Sequence, residues 1–408
     1  MSAGGTVKVA HLVSHPVQYF APLYRRLSQE PQIDLTVFYC SRQGLESYVD
    51  PGFQQMLAWD VPLLEGYRYT FLSNVRRNGR VNGFASLINP GIVRELLAGR
   101  FDAIWIHGYN YITHLLAFAA ASVSRTPVLY RTESSLVHDR YFQRTLPVRL
   151  LKPLFLRTLF RGVDGFLSIG TLNSEFYLAY GAEPSRIFHV PYTVDNRYFV
   201  EAVASIAPER ERMRAELGIG PDDIVFLFPA KLTPEKAPLE LVRAYERVGS
   251  DRKALLFVGD GELRAQAEFF VSARGLRGVH FLGFVNQSRL PSVYAMSDVL
   301  VRTDGAFKGD WGLTVNEAMA CGLAILSNDA VGAAVDLVTH GENGLIFRFR
   351  DTEDLAAAMR RLVDDPALCR RMGNRSREII STWSYEQCVA GILQALRTVV
   401  GREQAVRA

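Results

Sequence analysis

The chain carries the same rhythm twice: a short apolar run, a polar or glycine-bearing loop, then a helical pattern. In the first half the runs are Val7–Val13 (VKVAHLV), Leu35–Tyr39, Ala103–Ile106, Pro127–Tyr130 and Gly165–Ile169. In the second half they are Ile224–Phe228, Ala254–Val258, Gly278–Leu282, Val299–Arg302 and Ala324–Ser327. Short apolar runs bounded by turn residues suit strands buried on both faces. Their alternation with helices suits parallel sheets, because parallel neighbours can only be joined by a crossover. The pattern predicts an α/β fold of two Rossmann-like, doubly wound parallel-sheet domains facing each other across a cleft. A length of 408 residues agrees, being more than one ordinary core can hold. The polar stretch Ala202–Asp222, with Pro208 and Pro221, puts the division near residue 200. The expected parts are an N-terminal domain over 1–200, a C-terminal domain over 201–383, and a terminal segment over 384–408. That segment contains an amphipathic helix from about Tyr385 to Val400, which needs a surface to bury its apolar face.

Composition excludes several classes. Apolar residues make up 48% and charged residues 22%, the balance of a globular chain rather than a disordered one. The longest apolar stretch, Ile112–Val123, carries His114 and falls well short of the roughly 20 residues a spanning helix needs. The opening segment MSAGGTVKVAHLV lacks a charged region followed by a long apolar one, so no signal peptide is expected. Cys40, Cys321, Cys369 and Cys388 lie far apart with no C-x-x-C, which argues against a disulfide framework or a cysteine-built zinc site. The expected location is therefore cytoplasmic. The eight histidines show no metal-binding spacing, and neither Asp-x-Asp nor G-x-x-x-x-G-K-[ST] occurs, so no metal and no bound cofactor are expected. A net charge of +4 admits anionic partners. Basic and aromatic residues are not interleaved, so nucleic acid is not among them.

In open α/β sheets ligands bind beyond the carboxyl ends of the strands, which directs attention to the loops that follow them. After Ile224–Phe228 comes PAKLTPEK, with Lys231 and Lys236 close to a helix start. Two ammonium groups beside the positive end of a helix make an anion site; the plainer reading is two solvated lysines. Phe257–Gly261 (FVGDG) supplies Gly259 in a G-x-G, but Arg264 stands where a dinucleotide fingerprint needs its third glycine, so a tight turn is the better reading. In Asp304–Gly322, residues Leu313–Cys321 read as a buried helix closed by Gly322. Its first turn, with Gly312, Leu313 and Thr314, offers free backbone N–H groups to an anion. Glu317 on that small-residue helix needs a partner, either a ligand's hydroxyls or a neighbouring arginine. On the opposite side of the expected cleft, His107 ends a strand beside Gly108 and Asn110, and His15 follows the first strand. Lastly, 140–163 holds Arg140, Arg144, Arg149, Lys152, Arg157 and Arg161 with no acidic residue. At helical pitch the last four gather on one side, opposite Leu151, Phe155 and Leu159. This helix either lies on an anionic membrane surface or packs its apolar face on the first domain.

The order and spacing of PAKLTPEK, FVGDGELR, HFLGFVNQSRLPSVYAMSDVLV, WGLTVNEAMACGLAILSNDAVGAAVDLV and GENGLIF across 220–350 resemble the retaining family 4 glycosyltransferases of the GT-B fold. His107 and Ser168-Ile-Gly-Thr171 extend the likeness more loosely into the first half. The resemblance implies a donor nucleotide sugar bound mainly by the C-terminal domain. Lys231 and Lys236 would hold the diphosphate, Gly283 and Phe284 would border the base, Glu317 would meet the ribose hydroxyls and His107 would lie near the donor sugar. Lys231 replaces a more usual arginine. It also implies a last helix that crosses back to the N-terminal domain. One place departs: where the family has its first motif glutamate this chain has Gly309, with Asp310 beside it as the carboxylate that would serve instead. The expected function is metal-independent transfer of a hexose, with retention, from a UDP- or GDP-sugar to a hydroxyl on a saccharide or lipid-linked acceptor, in polysaccharide, lipopolysaccharide or glycolipid synthesis. The alternatives are a nucleotide-sugar epimerase or hydrolase on the same fold, and a non-catalytic nucleotide-sugar-binding partner subunit.

Overall fold

The computed structural model describes residues 5–407 apart from 51, 54, 77–79, 138–145 and 305–310. Two open parallel sheets form its frame. The first runs β5-β2-β1-β6-β7-β8-β9, built from β1 (Val7–Val13), β2 (Ile33–Tyr39), β5 (Arg68–Phe71), β6 (Ala103–His107), β7 (Val128–Arg131), β8 (Gly165–Ser168) and β9 (Ile187–His189). The second runs β12-β11-β10-β13-β14-β15, from β10 (Ile224–Pro229), β11 (Lys253–Val258), β12 (Val279–Phe281), β13 (Val299–Arg302), β14 (Ala324–Asn328) and β15 (Gly344–Phe347). Every pairing within the two sheets is parallel, and helices join successive strands of each sheet except between β2 and β5. Both sheets reverse direction of growth at one point, between β1 and β6 in the first and between β10 and β13 in the second. Loops leaving the carboxyl ends there are where an α/β sheet opens a crevice. Between β2 and β5 the chain adds a short antiparallel hairpin, β3 (Tyr48–Asp50) with β4 (Gln55–Leu57).

The alternation read from the sequence is thus the fold, and the two central strands β1 and β13 begin and end where the apolar runs do. One hydrophobic cluster continues from the first sheet into the second through Tyr192, Trp311, Val315, Met319 and Tyr385. The final helix, Tyr385–Arg407, lies against the N-terminal sheet. There the Tyr385 hydroxyl donates to the Tyr19 carbonyl at 2.8 Å and Arg26 pairs with Glu386. Gly391 brings this helix so near β9 that an added Cβ would stand 2.1 Å from the His189 carbonyl oxygen.

The helix Leu146–Phe160 requires a correction. From the sequence Leu151, Phe155 and Leu159 form one apolar face, which either meets a membrane or packs on the first domain; of these only Leu159 packs against the core. The structure buries Leu156 and Phe160 instead, and leaves Leu150, Leu151 and Leu154 about two-thirds exposed, at 66%, 64% and 66%, with Phe155 at 39%. The reason is geometric: leucines occupy both sides of this helix, and which side docks is decided by the surface it meets. Exposed Arg157 and Arg161 border the leucine face, and Arg140 and Arg144 lie outside the described residues. Among the described residues no helix is long and apolar enough to cross a membrane.

Candidate functional site

The second sheet's switch point collects basic groups. Lys231 and Lys236 stand on the loop that leaves β10, and Arg302 is the last residue of the neighbouring strand β13. Asp304 Oδ2 accepts hydrogen bonds from Lys236 Nζ at 2.5 Å and from Arg302 Nη2 at 2.8 Å. Arg302 Nη1 donates to Thr314 Oγ1 at 2.8 Å, which places the guanidinium against the first turn of the helix Leu313–Cys321. Gly312 caps that helix with φ of +90°, a conformation that favours glycine, and a Cβ there would come 3.3 Å from Arg302 Nη2. A guanidinium facing a helix N-terminus is two positive ends together, an arrangement that attracts an anion. In the sequence Arg302 shows only as the end of a strand. Its position beside the switch point is the signal that could have found it.

Gly259 and Gly261 serve this loop. Their φ values are +141° and +155°, and a Cβ on Gly259 would lie 2.1 Å from the Ala230 carbonyl oxygen. The G-x-G is therefore a tight turn, as expected, and the chain it admits so closely is the protein's own lysine loop. Gly259 N–H donates to the Gly283 carbonyl at 2.8 Å, which fixes Gly283 and Phe284 beside it.

Glu317 is fully buried, and Tyr294, not an arginine, donates to its Oε2 at 2.5 Å. Burial pushes its carboxyl up to about 7, against hydrogen bonding from Tyr294, Tyr19 and Gln287 that favours the charged form. Tyr19 belongs to the Ser14–Phe20 loop of the N-terminal domain, so this carboxylate is bonded from both domains. Gly309 and Asp310 lie outside the described residues.

His107 ends β6 opposite Arg131 of β7. Its basicity is lowered well below the ordinary histidine value, first by burial and then by the Arg131 guanidinium and by His11, His114 and His15. It is therefore neutral, with Nδ1 lacking a hydrogen-bond partner among the described residues and Nε2 3.9 Å from Glu133. Arg131, unremarked in the sequence, is itself buried, its guanidinium lying 5.6 Å from the Phe20 ring centre and 5.3 Å from that of Tyr192. Phe20 meets His107 edge-on at 5.0 Å and stacks on Tyr192 at 5.8 Å, and Tyr192 reaches Trp311 at 6.5 Å. This aromatic series joins the His107 side to the residue preceding Gly312. His15, bonded to Ser14 Oγ at 2.9 Å, is lowered by burial to about 4, and Asn110 is exposed on the turn after His107. Asn316 ties the two halves by donating to the Tyr192 carbonyl at 3.0 Å while accepting from Trp311 Nε1 at 2.9 Å. Among the described residues no three His, Cys, Asp or Glu side chains gather as metal ligands do.

Residues 209–379 match the family described as glycosyl transferases group 1. Over 228 residues the chain is 32% identical to the D-inositol 3-phosphate glycosyltransferase of Rhodococcus erythropolis, covering 53% of this chain and 50% of that protein. It is 28% identical to the N-acetyl-alpha-D-glucosaminyl L-malate synthase of Bacillus anthracis over 196 residues, 46% of this chain and 48% of the other. The chain thus spans about half the length of the curated relatives it matches. Among solved structures, a glycosyltransferase from Rickettsia africae superposes with a TM-score of 0.74 at 13% identity, over 97% of this chain and 99% of that one. HepE of Anabaena, solved with UDP and glucose, gives 0.69 at 16% identity over 96% and 100%. These likenesses establish the two-domain GT-B fold.

Proposed function

We propose that this chain, whose residues 209–379 match the group 1 glycosyl transferases, moves a hexose from a UDP- or GDP-sugar to a hydroxyl acceptor with retention of the anomeric configuration. The observation that carries the reading is the gathering of Lys236, Arg302 and the Gly312 helix end beyond β10 and β13, with Lys231 on the same loop. In the reaction the bond from the sugar's anomeric carbon to the diphosphate breaks with its electron pair going to oxygen. The acceptor oxygen bonds that carbon on the same face, and its proton passes to the departing phosphate. Preorganised cations aimed at that oxygen are worth most in a site closed to water. Lys231, Lys236, Arg302 and the helix end would supply that charge without a metal ion. Glu317 would accept from the ribose hydroxyls once Tyr19 withdraws. Gly283 and Phe284 would border the base, Gly259 and Leu313 would shape the pocket, and neutral His107 would donate or accept a hydrogen bond at the sugar. Asp310 would face the sugar in place of the glutamate that Gly309 replaces. His15 and Asn110 would border the acceptor.

The acceptor is proposed as a saccharide or a lipid-linked saccharide at the inner face of the cytoplasmic membrane. The exposed leucine face of Leu146–Phe160 and its flanking Arg157 and Arg161 support membrane contact, and Phe155 reaches Tyr109 beside Asn110 at 5.9 Å. Incubation with UDP- and GDP-hexoses and an acceptor panel, following nucleoside diphosphate release and the anomeric configuration of the product, tests this reading. Transfer with inversion, or turnover undiminished in Lys236→Ala, contradicts it. The absence of the first motif glutamate favours one second reading, a subunit that binds nucleotide sugar without turning it over. Binding with no product on any acceptor supports that one.

A further inference from the structure

Lys231 does not wait in solvent for its phosphate. Its Nζ donates to Asp50 Oδ1 at 2.8 Å, across the cleft from the C-terminal to the N-terminal domain. The same carboxylate oxygen accepts the backbone N–H groups of Gly52 at 2.8 Å and Phe53 at 3.0 Å, which hold it in place at the tip of the β3–β4 hairpin. The Phe53 ring centre lies 4.8 Å from Lys231 Nζ, and the ring meets Phe284 edge-on at 5.1 Å. Gly52 fits against the lysine stem, where an added Cβ would be 2.5 Å from Lys231 Cδ. Farther along the same excursion, Asn286 donates to the Ala58 carbonyl at 2.6 Å and Ser288 N–H to Asp60 at 3.2 Å. One N-terminal segment thus presents a carboxylate to the lysine, an aromatic ring to the wall formed by Phe284, and backbone and side-chain acceptors to the loop beyond.

We infer that Asp50 and Phe53, supplied by the opposite domain, are built-in competitors for the donor site. Asp50 occupies the phosphate position on Lys231, and Phe53 occupies the wall beside the base, until a nucleoside diphosphate displaces them. This rests on the donor reading above and adds what that reading lacks, a competitor for the lysine built into the chain. Asp50 is only 13% exposed at its side chain and Lys231 36%, so the pair is shielded enough for its exchange to govern affinity. A diphosphate brings more charge and more acceptor oxygens than one carboxylate, so it wins the lysine. It does so against the cost of parting Asp50 from it. The gain must be confined to ligands that carry phosphate.

Calorimetric titration of the full chain with UDP, GDP, inorganic pyrophosphate, uridine and guanosine tests it, in wild type and in Asp50→Asn. The asparagine keeps an oxygen for the Gly52 and Phe53 N–H groups, so the hairpin retains its local bonds while the charge is gone. The expected result is several-fold tighter binding of the diphosphates and pyrophosphate in Asp50→Asn, with the nucleosides unchanged. The gain should vanish when Lys231→Met is added. Wild-type binding that Asp50→Asn leaves equal or weakens, or a gain shared by the nucleosides, overturns the inference while sparing the donor reading. No binding of any phosphate ligand by either protein overturns both.

Discussion

The Tyr294 hydroxyl donates to Glu317 Oε2 at 2.5 Å, and both side chains are wholly buried. Burial is the largest influence on the Glu317 carboxyl and raises it from 4.5 to about 7. A carboxyl held high in the folded state is favoured there in its protonated form. Its contribution to stability is complete below about pH 4.5 and is lost as pH rises through about 7, on the order of 3 kcal/mol in all. Thermal unfolding of wild type and Glu317→Gln between pH 4 and 8.5 reads this directly. The difference in Tm should move in favour of the glutamine variant as pH rises through that window. A difference independent of pH contradicts the assignment.

Asp304 sits between Lys236 and Arg302, and all three side chains are at least three-quarters buried. Asp304→Asn removes the negative member and should cost about 3–5 kcal/mol, the magnitude for breaking a buried pair. Denaturant unfolding with and without inorganic pyrophosphate tests the site as well as the fold. The variant should regain more stability from the ligand than wild type does, because the anion replaces the missing charge. Equal stabilisation of the two proteins would separate Asp304 from the anion site.

The exposed leucines make an opposite kind of prediction. Leu150→Asp with Leu154→Asp replaces side chains that are about two-thirds exposed, so stability should change by no more than about 0.5 kcal/mol per site. Retention on vesicles containing phosphatidylglycerol at low salt should fall sharply. Arg157→Glu with Arg161→Glu should reduce it too, and more so on anionic than on zwitterionic vesicles. Unaltered sedimentation of both variants with the vesicles contradicts membrane contact through this helix.

Gly391→Ala places a methyl 2.1 Å from the His189 carbonyl oxygen and forces the last helix away from β9. The expected loss is about 1–3 kcal/mol, typical of overpacking, and shows as a lowered denaturant midpoint. A midpoint equal to that of wild type would mean that the helix is free to shift on the first domain.

How far the sequence carries can be seen in single elements. Leu313–Cys321 was legible to the residue because an αL glycine at each end, Gly312 and Gly322, marks where the helix begins and stops. The central strands were legible because they are buried on both faces and read as unbroken apolar runs. Two edge strands were not: β5 (Arg68–Phe71) is mostly exposed, and β9 (Ile187–His189) is too short to show a period, whereas the edge strand β12 fell within the run Gly278–Leu282. The cationic side of the site was found through Lys231 and Lys236, but Arg302 was not, since one arginine after an apolar run has no local signature. Asp50, Asp304 and Tyr294 could not be found locally at all. Their roles depend on partners up to 181 residues away, brought close only by the fold.

The role proposed for the switch point between β10 and β13 is to grip a nucleotide sugar by its diphosphate. The most direct test is a thermal-shift screen of wild type and Lys236→Ala against UDP, GDP, ADP and their hexose conjugates without added metal. A ligand that binds only the folded state raises Tm by mass action. A clear rise is expected for wild type with UDP or GDP and the matching sugar conjugate, and its loss in Lys236→Ala. A wild type that no nucleotide stabilises, or a rise that survives intact in Lys236→Ala, contradicts it.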